Sequence, residues 1–158
     1  MMMAHDIHAE TNSAFCAAVL AQFCEAHYQH LERKPTVVSA YLVLPIALSE
    51  DLAATFEGCN KSTGLLGWLE RNPRVLSNLS GRVNATLAVT TGAIRFGCIA
   101  GLLRLEDEGA ITSANIKIPV ASVVGVTSGG FKRARLLGNW FSGAGSARAV
   151  MEAMGVSV

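Results

Sequence analysis

Between Ser13 and His30 the apolar residues Phe15, Val19, Phe23 and Ala26 recur at three- and four-residue intervals. That period predicts an amphipathic helix over roughly residues 13–30, and Thr11-Asn12-Ser13 supplies a side-chain oxygen for its free first amides. Arg33-Lys34-Pro35 ends it, since the residue before a proline avoids the helical region. From Val37 to Leu48 the chain is uncharged and largely apolar. A buried strand and buried helical turns both fit, because periodicity does not separate them, although Pro45 argues against a central strand. Ser49-Glu50-Asp51 predicts the capped start of a short helix that stops at Gly58, with two carboxylates in the first turn where the helix dipole favours them. Ser62 or Thr63 opens another, carrying Leu65, Leu66, Trp68 and Leu69.

Asn72-Pro73 reads as a restart, with Asn as cap and Pro at the first helical position. Val75, Leu76, Leu79 and Val83 continue at helical spacing, with Gly81 a weak point, and a further helix follows with Leu87, Ile94, Cys98 and Leu102 on one face. Leu103-Arg104-Leu105, a turn at Glu106-Asp107-Glu108-Gly109, and Ala110-Ile111-Thr112 predict a short β-hairpin. Ser128-Gly129-Gly130 precedes a helix bearing Phe131, Ala134, Leu137 and Phe141, and Ser146 opens a last one closed by Gly155. The expected fold is mainly α: one domain, a helical bundle with a small β-hairpin and a winged-helix-like unit over residues 73–113. Residues 1–11 are expected to be flexible. Residues 13–72 form an N-terminal helical part, and 73–156 hold the winged-helix-like unit and the C-terminal helices.

Of the 158 residues, 51% are hydrophobic and only 16% charged. The charged share lies well below the ~25% usual in soluble domains, which argues against disorder and for a large core or a buried partner surface. The net charge of +1 hides a segregation. Residues 1–70 sum to −5 and residues 71–151 to +7, so the second half invites an acidic partner or nucleic acid unless folding mixes the halves. The start lacks a cationic segment followed by an apolar run, so no secretory signal is expected. Neither Pro35–Ser49, interrupted by Pro45, nor Leu87–Leu103, with Arg95 in its middle, reads as a membrane span, and both are expected to be buried core. Cys16, Cys24, Cys59 and Cys98 form no CxxC pair and fit a reducing cytoplasm.

No constellation of catalytic chemistry stands out. Cys24, His27 and His30 share a helix face, but structural zinc needs four ligands and no second Cys/His pair is near in sequence. Cys24 with His27 as nucleophile and base ranks last among the functional readings, since helix interiors seldom host that arrangement. Gly143-Ala144-Gly145-Ser146 resembles part of a phosphate loop without its lysine, and reads better as a helix end. No metal and no cofactor are expected. Lys132, Arg133 and Arg135 are the stronger feature. Placed in the first turns of a helix they oppose its dipole, at a cost of ~0.3–1 kcal/mol each, which points to an anionic partner. In a winged-helix unit the second helix enters the major groove. Here it would offer Arg95 with Thr90 and Thr91, and the acidic hairpin turn would repel phosphate. A winged-helix shape used for protein contact is the better expectation, with a stand-alone DNA-binding regulator as the alternative.

Six segments in order carry a resemblance: Asn12-Ser13-Ala14-Phe15, Tyr41-Leu42-Val43-Leu44-Pro45-Ile46, Trp68-Leu69-Glu70-Arg71-Asn72-Pro73, Phe96 through Leu103, Ala134 through Phe141, and Met154-Gly155-Val156. Their order and spacing over roughly residues 12–156 are similar to the small middle-component proteins of three-component ABC systems. Ser13 stands where the family pattern would have proline after the asparagine. The resemblance implies a non-enzymatic adaptor that joins an SMC- or Rad50-like ATPase subunit to an effector in bacterial conflict systems related to Lamassu defence. It carries no catalytic residues over. The cysteine usage and the absence of a signal or span are read as a cytoplasmic protein away from membranes, and direct or indirect contact with DNA is left open. Lys132, Arg133, Arg135 and Arg95 are the residues expected to meet a partner or phosphate.

Overall fold

The computed structural model describes residues 12–114 and 126–156. The expectation for residues 1–11, including His5 and His8, lies outside the described residues. The described chain is mainly helical with one two-stranded antiparallel sheet. Its first helix, α1 (Ser13–Leu31), begins where the sequence placed it: the Asn12 side chain accepts the Phe15 N–H at 2.9 Å. It ends at Glu32, which turns left-handed (φ 54°) and donates its N–H to Tyr28 O.

The ambiguous stretch after Pro35 is helical, as α2 (Val37–Ala40) and α3 (Val43–Ala47). Thr36 caps α2 by accepting the Ser39 N–H at 3.2 Å. Pro45 is the third residue of α3, where an amide proton has no helical partner to lose. A strand would have needed that proton.

Two expected caps act differently. Ser49 precedes α4 (Glu50–Ala53), but its hydroxyl donates backward to Pro45 O and accepts from Arg82 Nη1 at 3.2 Å. A 3-10 turn (Ala54–Phe56) and a left-handed Gly58 follow. Asn72 closes α5 (Gly64–Arg71) instead of opening the next element. Its side-chain amide donates to Trp68 O at 3.0 Å and Thr55 O at 3.3 Å, and Pro73 leads only a 3-10 turn (Pro73–Leu76). In both cases a nearer backbone carbonyl or a tertiary partner outcompetes the free amides of the next turn.

The two helices expected between Asn72 and Leu102 are one, α6 (Leu79–Ala100). The chain turns at Asn78, which is left-handed (φ 57°), and then runs unbroken through Gly81. Gly81 does not weaken the helix because the space of its missing side chain is taken by the Asn78 carboxamide. Residues 73–113 therefore hold a 3-10 turn, one long helix and a hairpin, where a winged-helix unit has two helices before its wing. At the end of α6, Gly101 (φ 79°) lets the Leu102 N–H reach back to Gly97 O at 2.8 Å. The hairpin is as expected: β1 (Leu103–Leu105) pairs with β2 (Ile111–Ser113), with Leu103 opposite Ser113 and Leu105 opposite Ile111. Its far side is held by the Ile111 N–H donating to Pro35 O at 2.9 Å.

α7 (Val126–Ala144) starts before the glycine pair that was expected to precede it. Gly130 instead faces Leu48 and Phe15, so it serves packing. α8 (Ala147–Met154) is capped by Ser146 and closed by left-handed Gly155, as its sequence predicts.

The core is the broad contact between α1 and α7, with α6 and α5 against its sides. Phe23 meets Phe141 edge-on at 5.6 Å, and Phe56, Trp68 and Trp140 form a ring cluster with centroids 5.0–5.8 Å apart. Both indole N–H groups are satisfied, Trp68 by Thr55 Oγ1 at 3.1 Å and Trp140 by Asn60 O at 3.0 Å. Gly138 permits this contact. A Cβ there would lie 2.5 Å from Phe23 O and 2.9 Å from His27 N, both backbone atoms of α1.

Alanine at an ordinary helical glycine gains up to about 1 kcal/mol. Gly138→Ala should instead destabilise by about 1–3 kcal/mol, because α1 cannot yield at its backbone. Gly67→Ala, whose new methyl would meet only Thr63 Cγ2 at 3.7 Å, should stabilise. Urea denaturation of the two variants reads the opposite signs.

Candidate functional site

The residues expected to meet a partner do not form one cationic face. Because α7 begins at Val126, Lys132, Arg133 and Arg135 lie beyond its first turn, where the dipole acts weakly. Lys132 is exposed. Arg133 is half-buried and donates its Nε–H to Ala47 O at 2.7 Å, bonding α7 to α3. Burial lowers its pKa, and Glu50 counters that effect. Arg135 spans to α1, donating to Gln22 Oε1 at 2.9 Å and Gln29 Oε1 at 3.0 Å, with Glu25 at 3.8 Å. Arg95 is exposed on α6.

Folding also mixes the segregated charges. Asp51 pairs with Arg82, Glu25 with Arg135, and Lys34 with Glu106, each joining the first half of the chain to the second. The Arg82 guanidinium holds the Asp51 carboxyl below the usual carboxylate range. Such surface pairs contribute only ~0.2–1 kcal/mol each.

The remaining chemistry is muted by burial. Burial pushes the Cys16 thiol up to about 11 and the Cys24 thiol further in the same direction, so neither offers a thiolate at neutral pH. His27 is buried, with Nδ1 2.7 Å from Arg33 O. Among the described residues no three His, Cys, Asp or Glu side chains gather where a metal could sit.

The feature missed from sequence is the outer face of α6. Leu87–Leu103 was expected to be core, yet in the most apolar 18-residue window of α6 only 28% is buried. Thr90, Ala93, Ile94 and Gly97 face inward. Ala85, Ala88, Phe96 and Ile99 face outward, with Ile99 88% exposed and Phe96 39% exposed. Leu87 flanks them, also exposed. Arg95 sits within this apolar stripe and forms no ion pair among the described residues. By length and composition alone α6 could cross a membrane. The face read from sequence, Leu87 with Ile94, Cys98 and Leu102, is split: Ile94 is buried and Leu87 exposed, because apolar residues lie on both sides of this helix and give little moment.

Two expectations follow. Arg133→Ala should cost about 1–3 kcal/mol, by leaving the Ala47 carbonyl without its charged donor, and Lys132→Ala close to nothing, as read by thermal unfolding. Burial disfavours the charged His27 ring and lowers its pKa below the ordinary 6.5. The unfolded chain therefore takes up that proton first. The stabilisation is complete above about pH 6.5 and is lost as pH falls through the lower, folded value. His27→Gln should flatten the fall in urea midpoint between neutral and mildly acidic pH.

A family model for the ABC-three component (ABC-3C) system Middle Component 3 matches residues 2–158. No curated protein and no solved structure gives a significant match. The match spans nearly the whole chain and agrees with the order of segments from Asn12 to Val156. The chain belongs to the Middle Component 3 family of ABC-three component systems.

Proposed function

We propose that this middle component is a non-enzymatic adaptor that joins an SMC-like ATPase to an effector in a bacterial defence complex, and that it docks through the outer face of α6. One observation carries the reading: an apolar helix of 22 residues lies on the surface with Phe96 and Ile99 open to solvent. An exposed apolar stripe from Ala85 to Ile99, about 21 Å along the helix, is costly in an isolated protein and ordinary in a subunit interface. Aromatic and arginine side chains are the usual anchors of such interfaces, and Phe96 and Arg95 stand together here.

A protein partner fits this face better than a bilayer does. The inner face of α6 is part of the core, packed against α1 and β1, so the helix cannot leave without opening the fold. Duplex DNA fits less well. Arg95 is the one cation on α6 outside an ion pair among the described residues, and the neighbouring hairpin turn carries Glu106, Asp107 and Glu108. The thiols of Cys16, Cys24, Cys59 and Cys98, none in a disulfide, are compatible with work in the cytoplasm.

The test is co-expression of all three components with Phe96→Glu and Ile99→Glu in this chain. Both variants should fall out of the purified complex while unfolding at the same temperature as the parent. Retention of the doubly substituted chain at the parental stoichiometry would reject α6 as the docking face.

A further inference from the structure

A separate feature is lined by no residue of α6. Where α1 ends and α8 begins, the surface holds a half-open cavity of about 400 Å³. That is within the range of small-ligand sites, roughly 300–1,000 Å³. Its polar lining comes from His27, Arg33, Lys34, Thr36, Ser39 and Ser146, and among the described residues no carboxylate lines it. We propose that this cavity binds a small phosphate monoester, with the phosphate held between Arg33, Lys34 and the first amides of α8.

Three observations carry it. The first is the supply of donors. The Ser146 hydroxyl caps α8 by accepting the Ala149 N–H at 3.1 Å, which leaves the amides of Ala147 and Arg148 without a helical partner. The dipole of α8 adds partial positive charge at the same end.

The second is the spare capacity of the cations. The Arg33 fork has five N–H groups and makes one long bond, from Nη1 to Ser142 O at 3.4 Å. Gly145 is left-handed (φ 101°), and a side chain there would begin 3.6 Å from Arg33 Nη1, so the glycine keeps the guanidinium uncovered. Lys34 is half-exposed and bonds Glu106 at 3.3 Å, at the rim, from where its flexible stem can turn inward.

The third is His27, only 5% exposed, which lines the cavity from α1. Its Nδ1–H donates to Arg33 O at 2.7 Å, so Nε2 of the neutral ring is an acceptor, able to take a hydroxyl proton of the ligand. A guanidinium, an ammonium and two backbone amides are more donors than the two oxygens of a carboxylate use. They match the three terminal oxygens and the double charge of a phosphate monoester. The remaining volume, lined by Phe141 and Val150, would take the organic portion. The site does not involve α6 and stands or falls independently of the docking face.

The test is a titration of the isotope-labelled full-length chain followed by amide NMR shifts, with inorganic phosphate, glycerol 1-phosphate and AMP as separate probes. At least one ester should give saturable shifts at Lys34, Gly145, Ala147 and Arg148, more tightly than inorganic phosphate, with the amides of α6 unmoved. Arg33→Gln and Lys34→Gln should each weaken that binding by about tenfold or more, as loss of a charged donor does. Lys34→Gln guards against misfolding, since Lys34 is a surface residue. Equal or tighter binding of inorganic phosphate would reduce the site to one for a free ion and overturn the proposal. So would the absence of saturable shifts with any probe, or affinity unchanged in both variants.

Discussion

The closeness of α1 and α7 at Gly138 sets most of the rest. With no side chain at that crossing, the two backbones meet, and Phe23 O and His27 N lie where a Cβ would have been. The helices then bury large side chains on both sides of the contact. Phe141 meets Phe23, and Trp140 reaches the cluster of Phe56 and Trp68. The three-ring cluster ties α5 and the 3-10 turn before it to α7. Arg133 and Arg135 extend the contact at the surface, bonding α7 to α3 and to α1. These arginines are thus engaged in holding the fold, whatever else they meet.

The same geometry explains why α6 is half bare. α1 has one face given to α7 and another to α6, and the hairpin covers part of what remains. With α1 so occupied, α6 can lean on it with only one side. Thr90, Ala93, Ile94 and Gly97 fill that side, and no described element covers the opposite side. A chain with so few charges cannot place polar residues everywhere on its surface. Part of the apolar excess falls on the outer side of α6, where Leu87, Phe96 and Ile99 are exposed.

The cavity beside Arg33 is a by-product of chain reversal at two helix ends. Left-handed Glu32 and extended Thr36 carry Arg33 and Lys34 past the start of α8, and Gly145 brings that start close. Two cations and a helix N-terminus thereby share a space with no carboxylate of the described residues in its lining.

Much was legible in the residues alone. The Asn12 and Ser146 caps, the stops at Gly58 and Gly155, the hairpin with its acidic turn, and the helical character of nearly everything else follow from local rules. Backbone amides, left-handed glycines and apolar spacing act over a few residues, and those residues are contiguous. The order of segments likewise sufficed for the family. Tertiary structure decided whatever depended on a distant competitor. Ser49 and Asn72 abandoned their caps for Pro45 O, Thr55 O and Trp68 O. Pro45 proved compatible with a helix because it fell at the third position of α3. Asn78 took the turn that Gly81 was expected to weaken, so two helices became one. Which face of α6 stays bare, and which of the α7 cations is free, depend on what packs alongside. A one-dimensional pattern holds the same apolar residues and the same charges whichever way those helices turn.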